Sequence, residues 1–153
     1  MSDEPIWSKH PGEPCSGLRA LDALPYYQLF VDEACRLVIA RRTELAFANE
    51  AEIVSCFARV ERLLAHVPRS QYGLLVDVRR GPARNDPSFE ATAAAHRGKL
   101  LLGFAKNAAL AATAAGRLQI QRYSKADGRQ VFATDDEKAA FEYLGARPHA
   151  FAK

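Results

Sequence analysis

Residues 72–90 read YGLLVDVRRGPARNDPSFE, and the order of residue types in that stretch decides the fold. Gly73, Leu74, Leu75 and Val76 run without interruption into Asp77 and Val78, the pattern of a central strand covered on both faces. Gly81-Pro82 ends the strand, and Asn85-Asp86-Pro87 opens a helix, with Asp86 as the N-cap and Pro87 at the first helical position. Arg79, Arg80 and Arg84 therefore fall between the carboxyl end of a strand and the amino end of a helix, where open α/β sheets hold their ligands. Together with Asp86 they are the candidate partner- or anion-binding residues. The plainer alternative pairs one arginine with Asp77 or Asp86 and leaves the others solvated, since an exposed ion pair contributes only about 0–1 kcal/mol.

Working outward, the aromatic and β-branched segments 27–32 and 35–41 flank the polar connection Asp32-Glu33-Ala34, which predicts an antiparallel hairpin with Cys35, Leu37 and Ile39 on one face. From Asn49 to about His66, Ile53, Cys56, Phe57, Val60, Leu63, Leu64 and Val67 recur at helical steps, and Pro68 stops the helix. The helix opened at Pro87 carries Phe89, Ala93, His96 and Leu100 on one stripe and runs to about Leu102 or Gly103. Residues 106–113 are read as a strand whose alanines let helices approach the sheet closely, and residues 116–125 as a helix. A short strand at 130–133 precedes a helix with capping-box spacing at Thr134 and Glu137, which Gly145 terminates. The resulting order, two strands and then alternating helices and strands, means an α/β domain built on a single mixed sheet of about five strands with helical cover. The chain divides into an arm at 1–24, a domain at 25–146 and a basic tail at 147–153.

A length of 153 residues suits one domain with a sizeable core. The 21 basic and 18 acidic residues are scattered and form no stripe that would track a phosphate backbone, which argues against nucleic acid as partner. Cys15, Cys35 and Cys56 are odd in number and lack C-x-x-C spacing, so reduced thiols and a cytoplasmic location are expected, with no disulfide. Neither a signal-like apolar core nor a run of roughly 20 apolar residues is visible, and no membrane association is expected. His10, His66, His96 and His149 are far apart in sequence and no cysteine stands at ligand spacing, so neither a metal nor a cofactor is expected. No Walker loop, dinucleotide fingerprint or nucleophile elbow is present, and nothing in the sequence demands an enzyme.

The element order, the LLVDVR strand running into NDPSFE, the later AALAAT segment and the closing VFATDDEKAAFEYL resemble the STAS and SpoIIAA-like group of bacterial anti-sigma-factor antagonists over about residues 26–145. The resemblance implies a non-enzymatic module in signalling and regulation. It would bind another protein through the loop and helix start after the central strand, around a serine or threonine that some members phosphorylate. Ser88 is the nearest match here and the candidate phosphorylation site, although Asp86-Pro87-Ser88-Phe89 departs from the D-S-x-G-like turn of the antagonists. The runner-up reading is a small-ligand or anion-binding protein, a weak enzyme at most, using the same arginines with Asp77 and Asp86. A third reading is self-association as a homodimer through the hairpin's edge strand and Tyr26, Tyr27 and Phe30.

Overall fold

The computed structural model describes residues 18–21, 24–82, 87–127 and 130–145. Six strands form one sheet: β1 (Arg19–Ala20), β2 (Tyr27–Asp32), β3 (Leu37–Arg42), β4 (Gly73–Asp77), β5 (Lys106–Leu110) and β6 (Phe132–Thr134). They lie side by side in chain order. β1, β2 and β3 pair antiparallel, whereas β3 to β6 are parallel. Helices α1 (Glu50–Leu63), α2 (Pro87–Leu101) and α3 (Ala114–Asp127) make the parallel crossovers, and α4 (Glu137–Leu144) closes the described chain. This is the mixed sheet the sequence implied, with the short β1 added at its edge inside the expected arm.

Every residue of β3 is buried, and four of the five in β4, as expected for strands covered on both sides. Alternation sends Leu29, Val31, Val38, Ala40, Leu74 and Val76 to the face that meets α1 and α2 through Ile53, Phe57, Val60, Phe89 and Leu100. Leu37, Ile39, Leu75, Ala108 and Leu110 point to the opposite face, against Ala140, Phe141 and Leu144 of α4. Ala108 and Ala140 are fully buried there, so the small residues of β5 do allow a close helix approach on the α4 side. On the other side a cavity of about 60 Å3 remains between α2 and α3, walled by Val76, Ala94, Gly98, Leu101, Ala109 and Ile120.

Four local expectations are corrected. The hairpin's second strand begins at Leu37, not Cys35, because Asp32 Oδ1 accepts from the Cys35 N–H at 3.0 Å and Arg36 takes a left-handed φ of 54°, making a longer turn. Cys35 is disulfide-bonded, against the expectation of reduced thiols; its partner lies outside the described residues, while Cys56 is free and buried. β5 stops at Leu110 and α3 begins at Ala114, since Thr113 Oγ1 accepts from Gly116 N–H at 3.0 Å and so caps the helix two residues early. The cap of α4 is Asp136, accepting from Lys138 N–H, while Thr134 Oγ1 accepts from Asp136 N–H, so the expected capping box does not form. At α1 the reading holds: Asn49 Oδ1 caps the helix by accepting from Glu52 N–H. Among the described residues no helix is long and apolar enough to cross a membrane.

Candidate functional site

The carboxyl ends of β3 to β6 and the amino ends of α1 to α4 meet along one edge of the sheet, because every parallel crossover returns the chain the same way. Free backbone N–H groups at helix starts make such an edge favourable to negative charge. The strand order never reverses, so the edge lacks the crevice that a doubly wound sheet opens at its switch point. Its chemistry has to come from side chains.

Asp77, the last residue of β4, is 1% exposed. A bare carboxylate there would cost several kcal/mol, and Arg79 removes the problem by curling back onto it. Arg79 donates through Nε to Asp77 Oδ1 at 2.9 Å and through Nη2 to Oδ2 at 2.8 Å, a bidentate pair, and its backbone N–H also donates to Oδ1 at 3.1 Å. Nη2 further donates to Glu137 Oε1 at 2.8 Å in the first turn of α4. Those hydrogen bonds, to Asp77 first and to Glu137 second, hold the Arg79 guanidinium in its charged form more firmly than usual.

The two neighbouring arginines point apart. Arg79 turns toward α4, whereas Arg80 turns toward the loop between β3 and α1, where Nη2 lies 3.9 Å from a carboxylate oxygen of the exposed Glu44. Gly81 N–H donates to Val78 O at 3.1 Å and closes the turn between them, leaving Pro82 exposed. Arg84 and Asp86 lie outside the described residues, and so does the expected N-cap role of Asp86. Pro87 does occupy the first position of α2, and Ser88 is exposed in its first turn. Nearby, Thr92 Oγ1 donates to Glu50 at 2.6 Å and joins α2 to the start of α1.

One residue of the edge was not singled out from the sequence. Arg42 closes β3 and is 7% exposed. Its Nη1 donates to Tyr26 O at 3.0 Å and Thr43 O at 2.9 Å, and its guanidinium carbon lies 4.5 Å from the Phe47 ring centroid and 5.8 and 5.7 Å from those of Tyr26 and Tyr27. It forms no ion pair among the described residues. Burial lowers its pKa, and the groups that oppose that shift are Tyr27, Cys56 and Tyr26 rather than any carboxylate. A Cβ on Gly81 would stand 2.8 Å from Arg42 Cγ, so the loop after β4 rests directly on the arginine's stem. The readable signal was the pair Arg41-Arg42 ending an apolar strand: alternation must send one to each face, and both are buried. Arg41 stands opposite Asp77 in the β3–β4 register, on the α4 side.

Among the described residues no three of His, Cys, Asp and Glu gather as a metal site would require. The edge offers buried cations and helix amino ends, which suit the binding of anionic groups and the presentation of a fixed surface.

No family model matches the sequence, and no curated protein matches it. Among solved structures, the chain is similar to an uncharacterised protein of the DUF3478 family with a SpoIIAA-like fold from Shewanella loihica PV-4, with a TM-score of 0.51 and 11% identity over 83% of this chain and 91% of that one. The fold is thus SpoIIAA-like, as the element order around LLVDVR implied.

Proposed function

We propose that the chain is a non-enzymatic regulatory module that binds a partner protein through the loop after β4 and the start of α2. The supporting observation is the way that loop is mounted. Its root is fixed by the Arg79 pair with Asp77 and the bond to Glu137, while Arg80 is part-exposed and Pro82, Pro87 and Ser88 are exposed. A surface held rigid at its base loses little conformational freedom on binding, which favours recognition. In this reading Arg80 and Arg84 contribute charge to the contact, and Arg79 acts by holding the loop.

Ser88 is the regulatory position of the same surface. It lies in the first helical turn, where the dipole favours negative charge, and a phosphate would bring about −1.5 to −2 charges to the contact.

The test is capture from lysate of the native host with the full chain as bait. Arg80→Glu and Arg84→Glu, shown by circular dichroism to be folded, are expected to lose the protein that wild type retains. Ser88→Asp and Ser88→Ala are expected to differ from each other in the same assay. Capture by the arginine variants equal to wild type would overturn the binding surface, and identical capture by the two serine variants would overturn the switch.

A further inference from the structure

Arg42 has five N–H donors on its guanidinium, and among the described residues only those on Nη1 find backbone acceptors, Tyr26 O and Thr43 O. Neither Nε nor Nη2 has an acceptor among the described residues. These two atoms form the side of the guanidinium that presents parallel donors, the edge that grips carboxylate and phosphate two-pronged in other proteins, as the same edge of Arg79 grips Asp77 here. Arg42 as a whole is 7% exposed, yet its Nε and Nη2 are not among the fully buried unpartnered atoms, so a group arriving from solvent can reach that edge. The aromatic faces of Phe47, Tyr26 and Tyr27 offset part of the charge but accept none of these protons.

The acids nearest in sequence are otherwise engaged. Glu50 accepts from Thr92, Glu44 lies beside Arg80, and Glu52 acts on the Tyr26 hydroxyl. A largely buried cation whose bidentate edge has no partner among the described residues, at the end of the sheet where helix amino termini gather, is placed to take a negative group.

We propose that Arg42 is the anchor of an oxyanion site, taking a phosphate or carboxylate group between its Nε/Nη2 edge and the turn at Gly81. Gly81 is part of the site because its lack of a side chain lets the turn lie against the arginine stem without displacing the guanidinium. The site does not depend on which protein the outer face of the loop binds, since failure of Arg80→Glu in partner capture leaves Arg42 and its edge unchanged.

The experiment titrates the full chain with sodium phosphate, and in parallel with sodium acetate, against sodium chloride at matched ionic strength. The readouts are thermal unfolding and the arginine Nε–Hε resonances, with that of Arg42 assigned through its own side-chain carbons. At least one of the two oxyanions is expected to raise Tm above the chloride control and to shift the Arg42 Hε resonance. Arg42→Lys, which keeps a charge but loses the two-pronged edge, is expected to weaken the response at least about tenfold, the loss of one charge-assisted hydrogen-bond pair. Gly81→Ala is expected to weaken it as well, and Arg80→Gln to preserve it. An Arg42 Hε that moves with neither anion overturns the proposal whether or not the variants fold. So does an equal response from wild type and Arg42→Lys, or loss of the response on Arg80→Gln alone.

Discussion

At the scale of single residues, burial decides which groups are reactive. Cys56 sits on the inward side of α1 at 4% exposure, and burial pushes its thiol up from 9.0 to about 11. A raised acid pKa means that the native chain keeps a proton the unfolded chain has lost between those values. The unfolded state therefore binds fewer protons there, and stability falls as pH rises from about 9 to about 11. Tyr26 and Tyr27, also raised chiefly by burial, act in the same direction at higher pH. Cys56→Ala lowers stability at every pH by leaving a small void, yet it should flatten the slope that begins near 9, by on the order of 1–2 kcal/mol at the alkaline end. Urea unfolding at a series of pH values reads this directly, and parallel curves for wild type and variant would refute it. The helical spacing had already placed Cys56 on the apolar side. The bond at Cys35 was not legible, because pairing depends on where the chain brings two sulfurs and not on their spacing in sequence.

At the scale of elements, the sequence announced the strands and helices well and their ends less well. Helical periodicity placed α1, an unbroken apolar run placed β4, and Pro87 with the stripe of Phe89, Ala93, His96 and Leu100 placed α2. The starts of α3 and α4 moved because Thr113 and Asp136 supply their caps, and several nearby residues were chemically able to do so. The end of α2 depends on a residue thirty positions away. Arg69 Nη1 donates to Lys99 O at 3.3 Å, Leu100 O at 3.1 Å and Leu102 O at 3.0 Å, Nη2 donates to Glu61 Oε2 at 2.8 Å, and the guanidinium lies 5.0 Å from the Phe104 ring centroid. It satisfies carbonyls that a helix end leaves open and joins α1 to α2. No reading of the sequence isolated it, since an arginine beside a proline in a connection looks like an ordinary surface residue. Arg69→Ala should cost about 2–3 kcal/mol, a charged hydrogen bond to several acceptors being lost with its side chain only 17% exposed, and Arg69→Lys should recover part of it. Chemical denaturation measures both, and a change below about 0.5 kcal/mol for alanine, the range of ordinary surface substitutions, would show that the cap is dispensable.

For the whole molecule, the sheet has unequal cover, and this makes one ion cluster matter beyond its own residues. The face toward α1 and α2 holds the larger core, whereas α4 carries the helical cover of the other among the described residues. α4 rises about 10 Å and β4 extends about 13 Å, so the short helix nearly spans the strand. Its two ends are fixed differently. Leu144 packs where a Cβ on Gly73 would stand 3.3 Å from its Cδ2, and Glu137 reaches Arg79 over Asp77 at the far end. The sequence supplied the components, an aspartate closing the central strand and an arginine two residues on, and its plainer reading paired an arginine with Asp77 as Arg79 does; Glu137, 58 residues away in the chain, was out of its reach. Electrostatic depth then predicts an ordering. Asp77 is 1% exposed and bound two-pronged, so Asp77→Asn leaves a part-buried guanidinium without its main partner and should cost about 2–3 kcal/mol, discounted from the fully buried case because the Arg79 side chain is 27% exposed. Glu137 is 19% exposed and holds Arg79 by one bond, so Glu137→Gln should cost less than about 1 kcal/mol in global stability while loosening the amino end of α4. Denaturant unfolding gives the global costs, and hydrogen exchange along residues 137–144 gives the local one. A Glu137→Gln cost equal to that of Asp77→Asn, or α4 protection unchanged in both, would mean that apolar packing alone holds the helix and that the loop after β4 is not rooted through it.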